Sequence, residues 1–229
     1  IVGGIGGTIS KSFNTGEITG IYGVGGIAGE ASTANAAITD CYNQGTVICT
    51  APSSPFSDSN AKGIGGILGA PGGNSYKAAI TNCYQTGTVT NHDATTADCY
   101  VGGVIGSSAG KNYSGVATEN LITATNCYYL SGTVDQGDGY SASTTGITAK
   151  TAEEMKASEF VQDLSDAFLF QDGGYPMLNW QNPDTEYTVS FTLSPSSAQL
   201  TVKDSSQTVV QPVSGATYQL KNGDYTYEV

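Results

Sequence analysis

Apolar residues in the first half of the chain come in short groups broken by glycine. The fullest instance is Gly63-Ile64-Gly65-Gly66-Ile67-Leu68-Gly69, then a variable connection, then Ile80-Thr81-Asn82-Cys83-Tyr84-Gln85-Thr86-Gly87-Thr88-Val89-Thr90. The same pattern precedes it, as Gly23-Val24-Gly25-Gly26-Ile27-Ala28-Gly29 with Ile38-Thr39-Asp40-Cys41-Tyr42-Asn43-Gln44-Gly45-Thr46-Val47. It follows it as Tyr100-Val101-Gly102-Gly103-Val104-Ile105-Gly106 with Ala124-Thr125-Asn126-Cys127-Tyr128-Tyr129-Leu130-Ser131-Gly132-Thr133-Val134. A shorter first copy reads Val2-Gly3-Gly4-Ile5, then Ile9-Ser10-Lys11-Ser12-Phe13-Asn14-Thr15-Gly16-Glu17-Ile18, with Ser12 in the cysteine position. A period of roughly 40 residues, built from short apolar alternations and glycine turns, predicts stacked β-rungs rather than helices. Each rung should pair in parallel with the next at about 4.8 Å, and both ends of the stack should be open edges.

Strict alternation would place Ile80, Asn82 and Tyr84 on one face of their strand and Thr81 and Cys83 on the other. Cys41, Cys83 and Cys127 recur at one repeat position, and an unoxidised cysteine packs as a small hydrophobe, so they are expected to form a buried ladder. The tyrosines would then lie outside or at a corner. Tyr42, Tyr84 and Tyr128 share a repeat position, where they form either an aromatic ladder for sugar rings or a layer packed under loops.

Beyond residue 135 the pattern changes. A Gly, Ser and Thr connector reaches residue 150, and Thr151-Ala152-Glu153-Glu154 reads as a capping box. Met155, Phe160, Val161 and Leu164 continue an apolar stripe, predicting a helix near 152–158 and a further turn or short helix near 160–168. Phe160, Leu164, Phe168 and Trp180 are expected to plug the open end of the last rung. From Asp184 onward, Tyr187, Val189, Phe191 and Leu193 alternate with Thr188, Ser190 and Thr192, and the turn Lys221-Asn222-Gly223-Asp224 precedes a last strand-like run. This is the pattern of antiparallel strands. The expected architecture is all-β: a parallel β-solenoid of about four rungs over residues 1–135, taken as a right-handed β-helix; a connector and capping segment with a short helix over 136–183; and a small antiparallel β-sandwich-like module over 184–229, possessing too few residues to be complete.

Charge narrows the function classes. The net charge is −12 and all eight basic residues are lysine. Nucleic-acid binding runs on phosphate neutralisation, for which arginine is the preferred tool, so neither nucleic acid nor an anionic membrane surface is expected as a partner. No run of eighteen apolar residues is present, so no transmembrane helix is expected. The chain starts within a repeat and ends in a strand-like run, so both ends read as cut and a leader or wall anchor could lie beyond them.

Several motifs match chemistry only in outline. Ile1-Val2-Gly3-Gly4 matches the mature start of trypsin-like proteases, but the Gly-Asp-Ser-Gly-Gly motif is missing and Gly-Gly-Ile recurs as a repeat element. Gly23-Val24-Gly25-Gly26-Ile27-Ala28 matches a dinucleotide fingerprint with no helical pattern after it. Thr88-Val89-Thr90 does not recur as the ordered threonine array of an ice-binding solenoid. The repeat-region carboxylates Glu17, Glu30, Asp40, Asp58, Asp93, Asp98 and Glu119 are scattered, without the pairing that glycoside chemistry uses. His92 is the one histidine and reads as a solvated loop residue. Asp135-Gln136-Gly137-Asp138-Gly139 reads as a turn or as a structural cation loop, and no cofactor is implied. Cys49 and Cys99 stand in loops outside the motif and can pair as a clip between neighbouring rungs; with five cysteines, one must stay unpaired or pair between chains.

The pattern Gly-Gly-Ile-x-Gly, a loop, then Ile-Thr-Asn-Cys-Tyr-x-Thr-Gly-Thr-Val resembles the GLUG motif of bacterial secreted and surface proteins, over residues 1–135. Thr151 to Trp180 is similar to the segment that closes such arrays, and the C-terminal strands resemble the start of PEGA-like or immunoglobulin-like surface modules. The resemblance implies a β-solenoid, secreted or cell-surface placement, and an adhesion or scaffold role toward an extracellular protein or glycan, with no catalytic residues to carry over. The alternative expectation is a non-catalytic carbohydrate-binding module of a larger extracellular enzyme.

Overall fold

The computed structural model describes residues 1–21, 23–50, 63–91, 99–111, 117–118, 121–141 and 145–229. The chain divides into two compact units, Ile1–Pro176 and Met177–Val229.

The first unit is a parallel β-solenoid with four faces. One face stacks Val2–Ile5, Ala28–Ala31 and Leu68–Pro71, and single bridges extend it from Leu68 to Ile105 and on to Asp138. The second stacks Thr8–Ser10, Ala36–Thr39, Ala78–Gln85, Ile122–Leu130 and Ile147–Lys150, with Phe13–Asn14 and Tyr42–Asn43 continuing it past a bend. The third stacks Ile18–Gly20, Val47–Cys49 and Val89–Asn91; the fourth stacks Val24–Gly25, Gly63–Gly65 and Tyr100–Gly102. Like residues meet like: Ile38, Ile80 and Ala124 are in register, as are Cys83 with Cys127 and Tyr42, Tyr84 and Tyr128. Ile27, Ile38, Ile67, Leu68, Ile80, Val104 and Ile105 fill the interior and are almost fully buried.

The strict alternation expected for Ile80–Tyr84 does not hold. Ile80 and Cys83 both point inward, because Asn82 sits in the left-handed region at φ 52° and turns the strand through a corner. Lys11, Asp40 and Asn126 do the same at the equivalent places, with φ of 47°, 53° and 50°. Short polar Asn and Asp tolerate this conformation better than most residues, so the residue before each cysteine is the corner residue.

Two further differences concern the ends. Val2-Gly3-Gly4-Ile5 lies opposite Ala28–Ala31, with Val2 facing Ala28 and Gly4 facing Glu30. Gly3 is therefore the counterpart of Gly29 and Gly69, not of Gly25, and the first coil starts one corner later than the matching words suggest. At the other end the stack runs beyond residue 135. Gly103 N–H donates to Gln136 O at 2.9 Å, Val104 N–H donates to Gly137 O at 2.9 Å, and Ile147–Lys150 pairs with Cys127–Leu130. Residues 136–139 and 147–150 thus belong to a partial fifth coil rather than to a free connector.

The capping box is present: Glu154 N–H donates to Thr151 Oγ1 at 3.2 Å and Thr151 N–H donates to Glu154 Oε2 at 2.7 Å, opening helix α1, Ala152–Lys156. Helix α2 follows, Phe160–Leu164. These helices do not plug the end of the stack. Phe160 and Phe168 reach tyrosines of three successive coils, so the segment runs along the side of the solenoid. Trp180 belongs to the second unit and is 40% exposed.

In the second unit Glu186–Ser190 pairs antiparallel with Thr217–Lys221, and Thr201–Lys203 lies between Val209–Val210 and Thr226–Glu228. Val202, Tyr218 and Leu220 form its small core, with Phe191 edge-on to Tyr218.

Candidate functional site

Each repeated side chain belongs to a ladder along the solenoid axis, so every candidate site is a question of what its ladder does. The thiols of Cys41, Cys83 and Cys127 are fully buried and donate to Thr39 O, Thr81 O and Thr125 O at 3.2, 3.2 and 3.3 Å. Burial pushes the Cys83 thiol well above its ordinary value. The hydrogen bond with Cys83 instead lowers the thiols of Cys41 and Cys127 from their ordinary value. All three are sealed from solvent and bonded to the backbone of their own coil, so this ladder is frame.

The second ladder is polar and buried. Asn14 Nδ2 donates to Asn43 Oδ1 at 2.8 Å, while Asn43 Oδ1 also accepts from Gly45 N–H at 3.1 Å and Asn43 Nδ2 donates to Gly45 O at 2.9 Å. Each asparagine thus closes its own turn and holds the next coil. Gln85 takes the place of asparagine one coil on. Its Nε2 donates to Gly87 O, but its fully buried Oε1 has no hydrogen-bond partner. An unmet buried acceptor costs about 1–3 kcal/mol, while shortening the side chain forfeits one methylene, about 0.8 kcal/mol. Gln85→Asn is therefore expected to stabilise the protein by about 1 kcal/mol, read as a higher denaturant midpoint at unchanged slope.

The tyrosine ladder is the most extensive. Phe13 and Tyr42 stack at 5.1 Å and 11°, and Tyr42 and Tyr84 stack at 5.0 Å and 6°. Phe160 meets Tyr84 and Tyr128 edge-on at 6.0 and 5.0 Å, and Phe168 lies 5.8 Å from Tyr84. Tyr84 Oη donates to Pro176 O, Tyr128 Oη to Asp163 O at 3.4 Å, and Lys150 joins Asp163 at 3.1 Å while its ammonium lies over both the Tyr128 and Phe160 rings. Burial, with the Tyr42 ring nearby, raises the Tyr84 phenol well above its ordinary value. Tyr42 and Tyr84 are 3% and 0% exposed and Tyr128 is half-buried. Phe13, Tyr42 and Tyr84 stack on one another, and Tyr128 meets Phe160 and the Lys150 ammonium, so these rings are engaged internally. The expectation of an exposed sugar platform at Tyr42, Tyr84 and Tyr128 is corrected: the ladder is the seat of the α1–α2 segment.

The corner residues form a fourth ladder. Asn126 Nδ2 donates to Asn82 Oδ1 at 3.2 Å, Asn82 Nδ2 to Asp40 Oδ1 at 3.1 Å, and Ser165 Oγ to Asp40 Oδ1 at 2.8 Å. The repeated Asp or Asn before each cysteine was the signal for it in the sequence.

Asp138 Oδ1 accepts from Ser108 and Tyr140 N–H at 3.2 and 3.0 Å, so this carboxylate serves as the backbone anchor of the fifth coil. His92, Asp58, Asp93, Asp98 and Glu119 lie outside the described residues. Among the described residues no group of three His, Cys, Asp or Glu side chains is arranged to hold a metal ion. Cys49 and Cys99 are thiols in the structure, and both pack with Val24, Val47, Ile64 and Val89 in the cluster between the third and fourth faces.

Glu30 is half-buried, and desolvation raises its carboxyl above the ordinary value of 4.5. A raised pKa in the folded state means that the folded protein binds more protons than the unfolded chain across that interval, so stability falls as pH rises through it. Glu30→Gln is expected to raise the melting temperature at pH 7 and to leave it unchanged at pH 4, as read by thermal unfolding across that range.

No family model matches the chain, and no curated protein matches it. Among solved structures the chain is similar to a candidate immunoglobulin A1 protease from Bacteroides ovatus, at 24% identity over 78% of this chain and with a TM-score of 0.45. The chain spans 62% of that protein's chain. No helix among the described residues is long and apolar enough to cross a membrane.

Proposed function

We propose that this chain is the non-catalytic frame of a bacterial secreted or cell-surface adhesion or scaffold protein, presenting variable connections to an extracellular protein or glycan. The observation that carries this reading is the fate of the repeated side chains. The isoleucine, cysteine, asparagine and tyrosine ladders all turn toward packing, in the interior or under α1 and α2. What differs from coil to coil is the connections: between the third and fourth faces, residues 21–23 in the first coil, 50–62 in the second and 92–99 in the third, and between the first and second faces, residues 6–7, 32–35 and 72–77. Variation confined to connections on a constant frame is how repeat proteins carry binding.

The first coil supplies the test. Replacing residues 50–62 with the short connection found at 21–23 should leave the melting temperature nearly unchanged. It should also abolish binding on an array of extracellular-matrix proteins and glycans. Undiminished binding after both long connections are shortened would refute display by loops. Hydrolysis of a glycan or peptide that disappears when one carboxylate is replaced would refute the non-catalytic role.

A further inference from the structure

We propose that Asn222 is a self-modification site: it loses ammonia to the backbone of Gly223, and the loss frees the turn that carries Trp180. Asn222-Gly223 is the one Asn-Gly pair in the chain. It follows the strand Thr217–Lys221, and both residues are exposed. Asparagine is a thermolabile residue, because its amide carbon lies within reach of the next backbone nitrogen. Every other asparagine of the chain is followed by a residue whose side chain hinders that approach. Asn43 is also buried and bonded through both of its amide atoms. A Cβ at Gly223 would meet nothing closer than Tyr225 Cε2 at 3.8 Å, and among the described residues no acceptor engages Gly223 N–H. The attacking nitrogen is therefore both unhindered and unengaged.

The Asn222 amide has a structural task. Its Nδ2 donates to Trp180 O, joining the strand end to the single helical turn Asn179–Gln181. Beside it Lys221 Nζ lies 2.9 Å from Asp184 Oδ1, an exposed pair of the kind that contributes little. The turn is otherwise held by its own neighbours: Leu178 N–H donates to Gln181 Oε1 at 2.8 Å, and Thr185 Oγ1 donates to Asn179 O at 2.7 Å. All these groups belong to the second unit.

The chemistry needs only water. Hydroxide removes the Gly223 amide proton, and the nitrogen attacks Asn222 Cγ. The Cγ–Nδ2 bond breaks, and Nδ2 departs as ammonia with a proton from water, which restores the hydroxide. A succinimide ring remains. Water opens it at either carbonyl, giving an aspartyl or isoaspartyl residue, and nothing is oxidised or reduced. The new carboxylate has no proton to donate, and it faces the Trp180 carbonyl oxygen. A repulsive pair thus replaces a hydrogen bond. The strand end acts as a one-way timer on the turn, faster at higher pH and independent of what the connections bind.

The intact chain is aged at 37 °C at pH 6 and at pH 9, then digested for peptide mass spectrometry, while the emission of Trp180, the one tryptophan, is followed. The Asn222 peptide should gain the mass of an amide-to-acid change before any other asparagine peptide, and faster at pH 9. Trp180 emission should move to longer wavelength in step with it. N222D should show the shifted emission without ageing. G223A should slow the conversion about tenfold and keep the original emission. An unmodified Asn222 peptide, earlier conversion elsewhere, or an equal rate in G223A would overturn the modification site. Emission unchanged in both the aged chain and N222D would overturn the release of the turn.

Discussion

Replacing Gly69 with alanine unfolds the solenoid, whereas the same change at Gly3 leaves it intact. The two positions are equivalent in the repeat, since Val2 and Leu68 both face Ala28 in the strand between them. They differ in what lies beneath. A Cβ at Gly69 would stand 2.6 Å from Gly23 C and Val24 N, atoms of the coil below, and as close to Gly29 O. All are backbone, so no side chain can swing away. A Cβ at Gly3 would meet nothing within 4 Å. Neither glycine has a positive φ, so the demand comes from close approach of coils rather than from backbone conformation. A clash that only backbone movement can relieve belongs to the small class of substitutions costing about 4 kcal/mol or more. Urea denaturation of the two variants decides it: loss of the cooperative transition is expected for Gly69→Ala and an unchanged midpoint for Gly3→Ala. Equal midpoints would mean that the coils are not packed as closely as their register implies.

Tyr84→Ala carries the second large effect. Tyr84 is fully buried, stacks on Tyr42, meets Phe160 and Phe168, and donates to Pro176 O. Truncating a buried aromatic costs about 3–5 kcal/mol. Tyr84→Phe, which keeps the ring and leaves the Pro176 carbonyl unmet, should cost about 1 kcal/mol. The two variants separate ring packing from hydrogen bonding. Because the ring joins the coils to the α1–α2 segment, limited proteolysis of Tyr84→Ala should cut first between residues 157 and 176, ahead of global unfolding. A cost below about 1 kcal/mol for Tyr84→Ala would show that the ladder is surface rather than core.

The repeat, its parallel stacking and the all-β class were legible because each coil restates the same residues. Quasi-identical words can only be satisfied by quasi-identical environments, and for short apolar groups ended by glycine that environment is a stacked strand. The capping box at Thr151 was legible for a local reason: its hydrogen bonds join residues three apart, Thr151 and Glu154. The corner at Asn82 was written in the sequence but concealed by the alternation rule, which holds only while φ stays in the extended region. One left-handed residue reverses the parity, bringing Ile80 and Cys83 to the same side. The first coil was misaligned because Gly-Gly-Ile occurs at one corner of the repeat and Gly-Gly, by coincidence, at the next.

What the sequence determined by itself is the frame: which residues recur and which kind of element they build. Periodicity is one-dimensional information and survives being read in one dimension. What only the tertiary structure decided is the fate of each ladder. Tyr84 and Cys83 are neighbours in the chain and equally regular along it, yet one faces the interior and the other faces outward beneath a segment some eighty residues later. Whether an outward ring meets water, sugar or Phe160 depends on where that distant segment packs. That choice is made by apolar surface left uncovered along the side of the solenoid, a property of the assembled coils that no single coil contains.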